Sequence, residues 1–225
     1  MKIAYWKKLL SYLIDIRLEK KQSDYSGQLE VLLSRGRIAL CTKNAMYSYE
    51  DLYLNFKESF DRIEISEFKI DKVLLLGAGL LSVPYMLEKH HNKKFTAKAL
   101  DIDPAVLALA KKYTLPKIHS DIELICSDAA VFVGQDKSSY DLIVVDIFID
   151  DKVPSEFETE NFLKSVQSLL GPNALIMFNR MAQNDIALKK TEDYYNQIFK
   201  SFFLDSKMLE LRGNRMLIGI NVSKN

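Results

Sequence analysis

KVLLLGAGLLSVPYML, residues 72–87, combines an apolar run, two glycines one residue apart and a helix-like continuation. The run is apolar without alternation, as expected of a parallel strand covered on both faces. Gly77 and Gly79 follow it, but Ser82 stands where a full G-x-G-x-x-G motif would have its third glycine. A turn of this kind aims backbone N–H groups at a ligand and lets it approach the main chain. It serves equally well as a tight strand-to-helix connection. The residues after it decide between the two.

Downstream, strands and helices alternate. FTAKALDID reads as a strand and PAVLALAKKY as a helix opened by proline. DIELICSDA and the very apolar YDLIVVDIF read as further strands, followed by a helix over TENFLKSVQSLL. ALIMFNRM is another strand, IALKKTEDYYNQIFKSFF a long helix, and KMLELRGNRMLIGINV a hairpin around Arg212-Gly213-Asn214. The expected fold is α/β: a doubly wound, Rossmann-like seven-stranded sheet with a terminal antiparallel hairpin.

Upstream, MKIAYWKKLLSYLIDIRLEKK places Trp6, Leu9, Leu10 and Leu13 at helical spacing, on a face that packs on the domain or on a partner chain. LEVLLSRGRIALCT reads as two strands, Asn44 to Ser48 as a loop, and YEDLYLNFKESF as a helix with Leu52, Phe56 and Phe60 on one side. The chain thus divides into 1–60, a small N-terminal helix, β-hairpin and connecting helix, and 61–225, the sheet domain.

The 225 residues are 48% hydrophobic and carry 31 basic against 30 acidic side chains, a net charge of +1. That composition suits one large domain with an appendage and gives no basic excess for nucleic acid. No apolar run approaches the roughly 20 residues of a membrane span. Cys41 and Cys126 suggest no disulfide framework, so a cytoplasmic protein is expected. His90, His91 and His119 lack metal-ligand spacing with either cysteine, so no metal is expected.

The acids carry the chemistry. Asp101 closes the second strand of the sheet domain, 24 residues after Gly77, where a carboxylate accepts hydrogen bonds from ribose hydroxyls. Asp103, before Pro104, suits a helix N-cap better. Asp128 follows the third strand, either to receive an adenine amine or to cap the next helix; Ile102 suits packing on an adenine face. Asp146 closes the fourth strand, at the sheet edge where ligands bind, and partial desolvation there raises its basicity. Asp150 and Asp151 follow in a loop that could close over the site. Three acids ending three successive strands after a glycine turn are far more specific than the glycines alone.

With these residues in place, VLLLGAG, ALDID, CSDA and YDLIVVDIF, ended by the hairpin, resemble a class I S-adenosylmethionine-dependent methyltransferase fold. More narrowly, the chain resembles the spermidine synthase (polyamine aminopropyltransferase) family over about residues 28 to 221. GRIALCTKNAMYSYED is similar to the stretch that joins that family's small N-terminal β-domain to its sheet domain. The resemblance implies S-adenosylmethionine or its decarboxylated form as co-substrate, held by Gly77, Gly79, Asp101, Ile102, Asp128 and Ala129. It implies an aminopropyl or methyl transfer to a small-molecule acceptor, an amine, and a homodimer. Asp146 matches the first aspartate of the family's D-S-S-D-P-like signature and would take the amine's proton. Tyr49 would be its partner, with Tyr47, Tyr49 and Asp150 on the acceptor. The chain departs from the pattern at Ile149, where the signature has its second aspartate, at Leu80 to Ser82 in the glycine turn, and at Leu40 in place of a glutamine. A non-catalytic binding or assembly protein on the same fold is the competing expectation. A nicotinamide oxidoreductase shares the Gly77–Asp101 spacing but would not end in a hairpin.

Overall fold

The computed structural model describes residues 3–42, 46–148 and 153–222. A short helix α1 (Tyr5–Leu10) leads into four strands: β1 (Ile16–Ser23), β2 (Gly27–Ser34), β3 (Arg37–Cys41) and β4 (Met46–Ser48). They form one antiparallel sheet in chain order. Helix α2 (Leu54–Ile63) then enters the second sheet, built from β5 (Lys72–Leu76), β6 (Thr96–Asp101), β7 (Asp121–Cys126), β8 (Tyr140–Val145), β9 (Leu170–Met181), β10 (Asp205–Leu211) and β11 (Asn214–Ile220). Its order is β10-β11-β9-β8-β5-β6-β7. β5 pairs in parallel with β6 and β8, whereas β11 runs antiparallel to β9 and β10. Helices α3 (Ser82–Lys89), α4 (Pro104–Tyr113), α5 (Ala129–Gln135), α6 (Glu160–Ser168) and α7 (Asp185–Tyr194) connect these strands. The helix of α7 continues through a π turn, Tyr195–Phe199, and ends as α8 (Lys200–Phe202).

The seven-stranded sheet with its terminal hairpin is the fold the sequence predicts. Alternation within each strand sends side chains to opposite faces. Val73, Leu75, Ala99, Leu142, Val144, Met177 and Ile218 join one core with α2, α3 and α4. Leu74, Leu76, Leu100, Ile143, Val145, Ile176 and Leu217 join the other with α5, α6 and the tail of α7. Leu29, Val31 and Leu33 of β2, with Ile38 and Leu40 of β3, belong to the first core, so the small sheet packs into the large one. The division expected between residues 60 and 61 falls inside α2.

The N-terminal part differs from expectation in three ways. The expected hairpin is β2–β3, and β1 and β4 extend it on either side. Residues 16–23, to which the sequence assigns no strand, are β1. This edge strand carries only Ser23 buried and its register shifts between Arg17 and Glu19, so its alternation is blurred. The helix itself is six residues long, and Trp6, Leu9 and Leu13 on it or just beyond are exposed rather than packed on the described chain. Met46–Ser48, within the expected loop, is a strand.

Candidate active site

The strand ends meet at one cavity of about 610 Å³. The glycine turn forms its floor. Gly77 has φ +92°, and a β-carbon there would overlap the Asp146 carbonyl oxygen. The first glycine is therefore required because the end of β8 lies against the turn, with Asp146 N–H donating to the Leu76 carbonyl at 2.8 Å. Gly79, at φ +48°, sits under the Tyr47 backbone; a β-carbon would stand 3.1 Å from the Tyr47 carbonyl oxygen. The departures in this turn have packing reasons. Leu80 and Leu81 are fully buried in the first core. Ser82 exchanges a 2.6 Å hydrogen bond with Ser48 and accepts from the Tyr49 N–H at 3.0 Å, fastening the small sheet to the turn.

At one end of the cavity stand Asp101, Ile102, Asp128 and Ala129, together with Tyr25 and Ser26 from the β1–β2 turn. Asp101 accepts from the Gly79 N–H at 3.3 Å and the Asp103 N–H at 3.0 Å, one through each carboxylate oxygen. Burial nevertheless raises its pKa to about 6. Asp103 caps α4 by accepting from the Ala105 N–H, and it also accepts from the Ser23 hydroxyl at 2.5 Å. That bond ties the tip of β1 to the cavity wall. Asp128 caps α5 through Oδ1, which accepts from the Val131 N–H at 2.9 Å; Oδ2 has no partner among the described residues. Capping and ligand binding are thus compatible in one carboxylate. These groups suit an adenosine: Asp101 for ribose hydroxyls, Asp128 Oδ2 for an exocyclic amine and Ile102, half exposed, for an apolar ring face.

At the other end Asp146 receives two donors. Asn179 Nδ2 donates to its Oδ1 at 2.9 Å, and the Tyr53 hydroxyl lies 3.1 Å from its Oδ2. Burial raises the Asp146 pKa to about 6, the two donors working against that shift and the charge of Asp101 adding to it. Tyr53 is itself pushed well above the ordinary phenol value by burial and by the Asp146 charge, so it remains a donor. A buried carboxylate with a pKa near neutrality can take a proton from a bound nucleophile.

Tyr49, expected as the partner of Asp146, lines the cavity but gives its hydroxyl to Ser34 at 2.7 Å. Tyr53, four residues on, takes the expected place: it immediately precedes α2, and its hydroxyl reaches the carboxylate that follows β8. Tyr47 lines the cavity; Asp150 lies outside the described residues. Sequence reasoning also missed Asn179 and Glu156, both of which line the cavity. The signal for Asn179 was available: it is a polar residue closing the apolar run ALIMF, the same pattern that identified Asp146. Among the described residues no cluster of three metal-ligating side chains occurs, and no helix is long and apolar enough to cross a membrane.

Comparison with known proteins places this geometry. The chain is similar to a spermidine synthase solved with the transition-state analogue AdoDATO, at 17% identity and a TM-score of 0.66, over 91% of this chain and 73% of that one. It is also similar to human methyltransferase-like protein 13 in complex with SAH, at 23% identity and a TM-score of 0.54, over 68% of this chain and 72% of that one. Both likenesses concern the fold. A polyamine aminopropyltransferase of Vibrio vulnificus is 24% identical over 158 residues, 69% of this chain and 52% of that protein. The chain spans about half the length of the polyamine aminopropyltransferases it matches. Residues 63–207 match the spermine/spermidine synthase domain, and since that segment is well over half of the sequence and contains the glycine turn and all three strand-end acids, the chain belongs to that family.

Proposed function

We propose that the protein transfers an aminopropyl group from decarboxylated S-adenosylmethionine to an amine acceptor. One observation carries the choice of co-substrate. The described cavity lining contains Asp101, Asp103, Asp128, Asp146 and Glu156, and no Lys, Arg or His. S-adenosylmethionine brings a carboxylate, which would enter this acidic site without a cationic partner among the described lining residues. The decarboxylated form has a hydrogen in its place and arrives as a dication, which the carboxylates attract. Family membership and the aminopropyltransferase relatives support the same reading.

When bound, the co-substrate supplies a carbon activated by a sulfonium leaving group. Displacement there requires a neutral amine held in line, roughly 3–3.5 Å from that carbon. Asp101 and Asp128 anchor the adenosine, so the reacting end points along the floor toward Asp146. Asp146 accepts the amine's proton, Tyr53 and Asn179 hold its carboxylate, and Tyr47, Tyr49 and Glu156 flank the acceptor. As nitrogen bonds to carbon, the carbon–sulfur pair passes to sulfur and leaves a neutral thioether. A homodimer through the exposed face of Trp6, Leu9 and Leu13 belongs to the same proposal, and analytical ultracentrifugation tests it.

Methyl transfer is the second reading, favoured by the likeness to an SAH-bound methyltransferase. Calorimetric titration with S-adenosylmethionine, its decarboxylated form, methylthioadenosine and NAD separates the two. Tighter binding of the decarboxylated form is expected. Preference for the carboxylated form would replace aminopropyl with methyl transfer. No binding by any of the four would leave the non-catalytic reading and overturn the proposal.

A further inference from the structure

We infer that Asn214, in the closing hairpin, is a positioning residue that acts through Asn179 to hold the Asp146 carboxylate as a hydrogen-bond acceptor. This rests on the reading of Asp146 as the group that takes the proton. Asn179 is fully buried and Asn214 nearly so. A buried primary amide has nearly the same shape in its two flipped orientations, so its polar partners choose between them. Asn214 Nδ2 donates to Asn179 Oδ1 at 3.0 Å, and Asn179 Nδ2 donates onward to Asp146 Oδ1 at 2.9 Å. A flipped Asn179 would set its carbonyl oxygen against the carboxylate and its NH2 against the NH2 of Asn214. Both contacts repel. The Asn214 donor therefore locks Asn179 in the orientation that serves Asp146.

The hairpin plants that donor. Gly213 turns the chain at φ +77°, and Asn214 opens β11 paired with Leu211 on one side and Met181 on the other. The family match ends at residue 207, so the donor lies outside the matched segment. Two ionisable groups bear on the carboxylate, and a third stands in the same cavity. Tyr53 donates to it from the start of α2, Asp101 repels it from the end of β6, and Glu156 lines the same cavity. With Tyr53 as the remaining donor, loss of the Asn179 donor leaves the anion under-bonded and the proton harder to remove.

The test is a double-mutant cycle read on Asp146 itself. The carboxyl carbon of Asp146 is titrated by 13C NMR, assigned by its loss in Asp146→Asn, in the wild-type protein, Asn214→Leu, Asn179→Ala and the double variant. The midpoint is expected to rise by ~1 unit in each single variant, with no further rise in the double. In turnover, the acid limb of kcat moves up with the midpoint, so kcat falls ~10-fold on the acid side of the wild-type midpoint and only about twofold at neutral pH, while KM for the sulfonium substrate changes little. A merely structural role for Asn214 lowers the melting temperature and leaves the midpoint in place, which overturns the inference. So does an Asn214→Leu shift that persists in full on the Asn179→Ala background. If Asn214→Leu does not fold, Asn214→Ala takes its place. Midpoints that move as expected in a protein without transferase activity uphold the relay and remove the transferase reading. Turnover with unmoved midpoints does the reverse.

Discussion

The two ends of the cavity are made in different ways. The end proposed for adenosine is local: Gly77, Gly79, Asp101, Ile102, Asp128 and Ala129 all sit at or just after the ends of β5, β6 and β7, and each is placed by its own strand or by the start of the next helix. The end proposed for the reaction is assembled. Tyr53 comes from the start of α2, Asp146 from β8, Asn179 from β9, Asn214 from the closing hairpin and Glu156 from the segment before α6. A carboxylate at the end of a parallel strand requires only the sheet, whereas the hydrogen bonds that tune Asp146 require four separate segments to arrive together. The lesson is that the first end follows from each strand taken singly, and the second only from their meeting.

Five substitutions and one titration can break or sharpen that contrast. The largest effect belongs to Gly77→Ala, which touches both ends at once. Its β-carbon meets the Asp146 backbone at a φ that L-residues rarely adopt, so a loss of about 3 kcal/mol or more in denaturant stability is expected, with binding and turnover both impaired. A stable, active variant would mean that β8 does not depend on the turn. Asp146→Asn should lower kcat by ~10²–10⁴ while calorimetric affinity for the adenosyl ligand stays nearly constant. Comparable loss of affinity would merge the two ends into one. Asp101→Ala should do the opposite, weakening that affinity by ~1.5–3 kcal/mol through loss of charge-assisted hydrogen bonds. Unchanged affinity would remove Asp101 from the ribose.

The pair Tyr53→Phe and Tyr49→Phe compares two tyrosines of the same cavity. Removing the Tyr53 hydroxyl should reduce kcat ~10-fold, because Asp146 loses a donor; removing that of Tyr49 breaks the bond to Ser34 and should cost ~0.5–1.5 kcal/mol of stability with turnover retained. The reverse ranking would restore Tyr49 as the partner of Asp146.

The smallest effect is on pH dependence. Burial raises Asp146 from 3.8 to about 6, so the folded protein binds this proton more tightly than the unfolded chain does. Stability therefore falls as pH rises from 3.8 toward 6 and is level above it, whereas turnover rises through the same window as the base becomes free. Thermal melts and rate profiles across that window check both signs, and Asp146→Asn should remove its share of the slope in the melts.

Much of this was legible beforehand. The unbroken apolar runs gave the parallel strands, and the acids that end them, Asp101, Asp128 and Asp146, all line the cavity. Asp103 as the cap of α4 was legible too, since Asp before Pro is a local signature. The misreadings share a cause. β1 has no signature in the sequence because an edge strand with one buried residue lacks the alternation that marks a covered one. Tyr49 is what the family resemblance implies, and the seven residues YSYEDLY, with three tyrosines, offer no local sign of which hydroxyl will face a strand more than 90 positions away.

The sequence by itself determined the sheet, the glycine turn and the positions of the acids, because strand ends and helix caps are set by forces acting within a few residues. Only the tertiary structure decided which donors reach Asp146, why Gly77 must lack a side chain and how Asn214 joins the site. Those depend on the approach of segments far apart in the chain, and burial there raises the pKa of an ordinary aspartate to about 6.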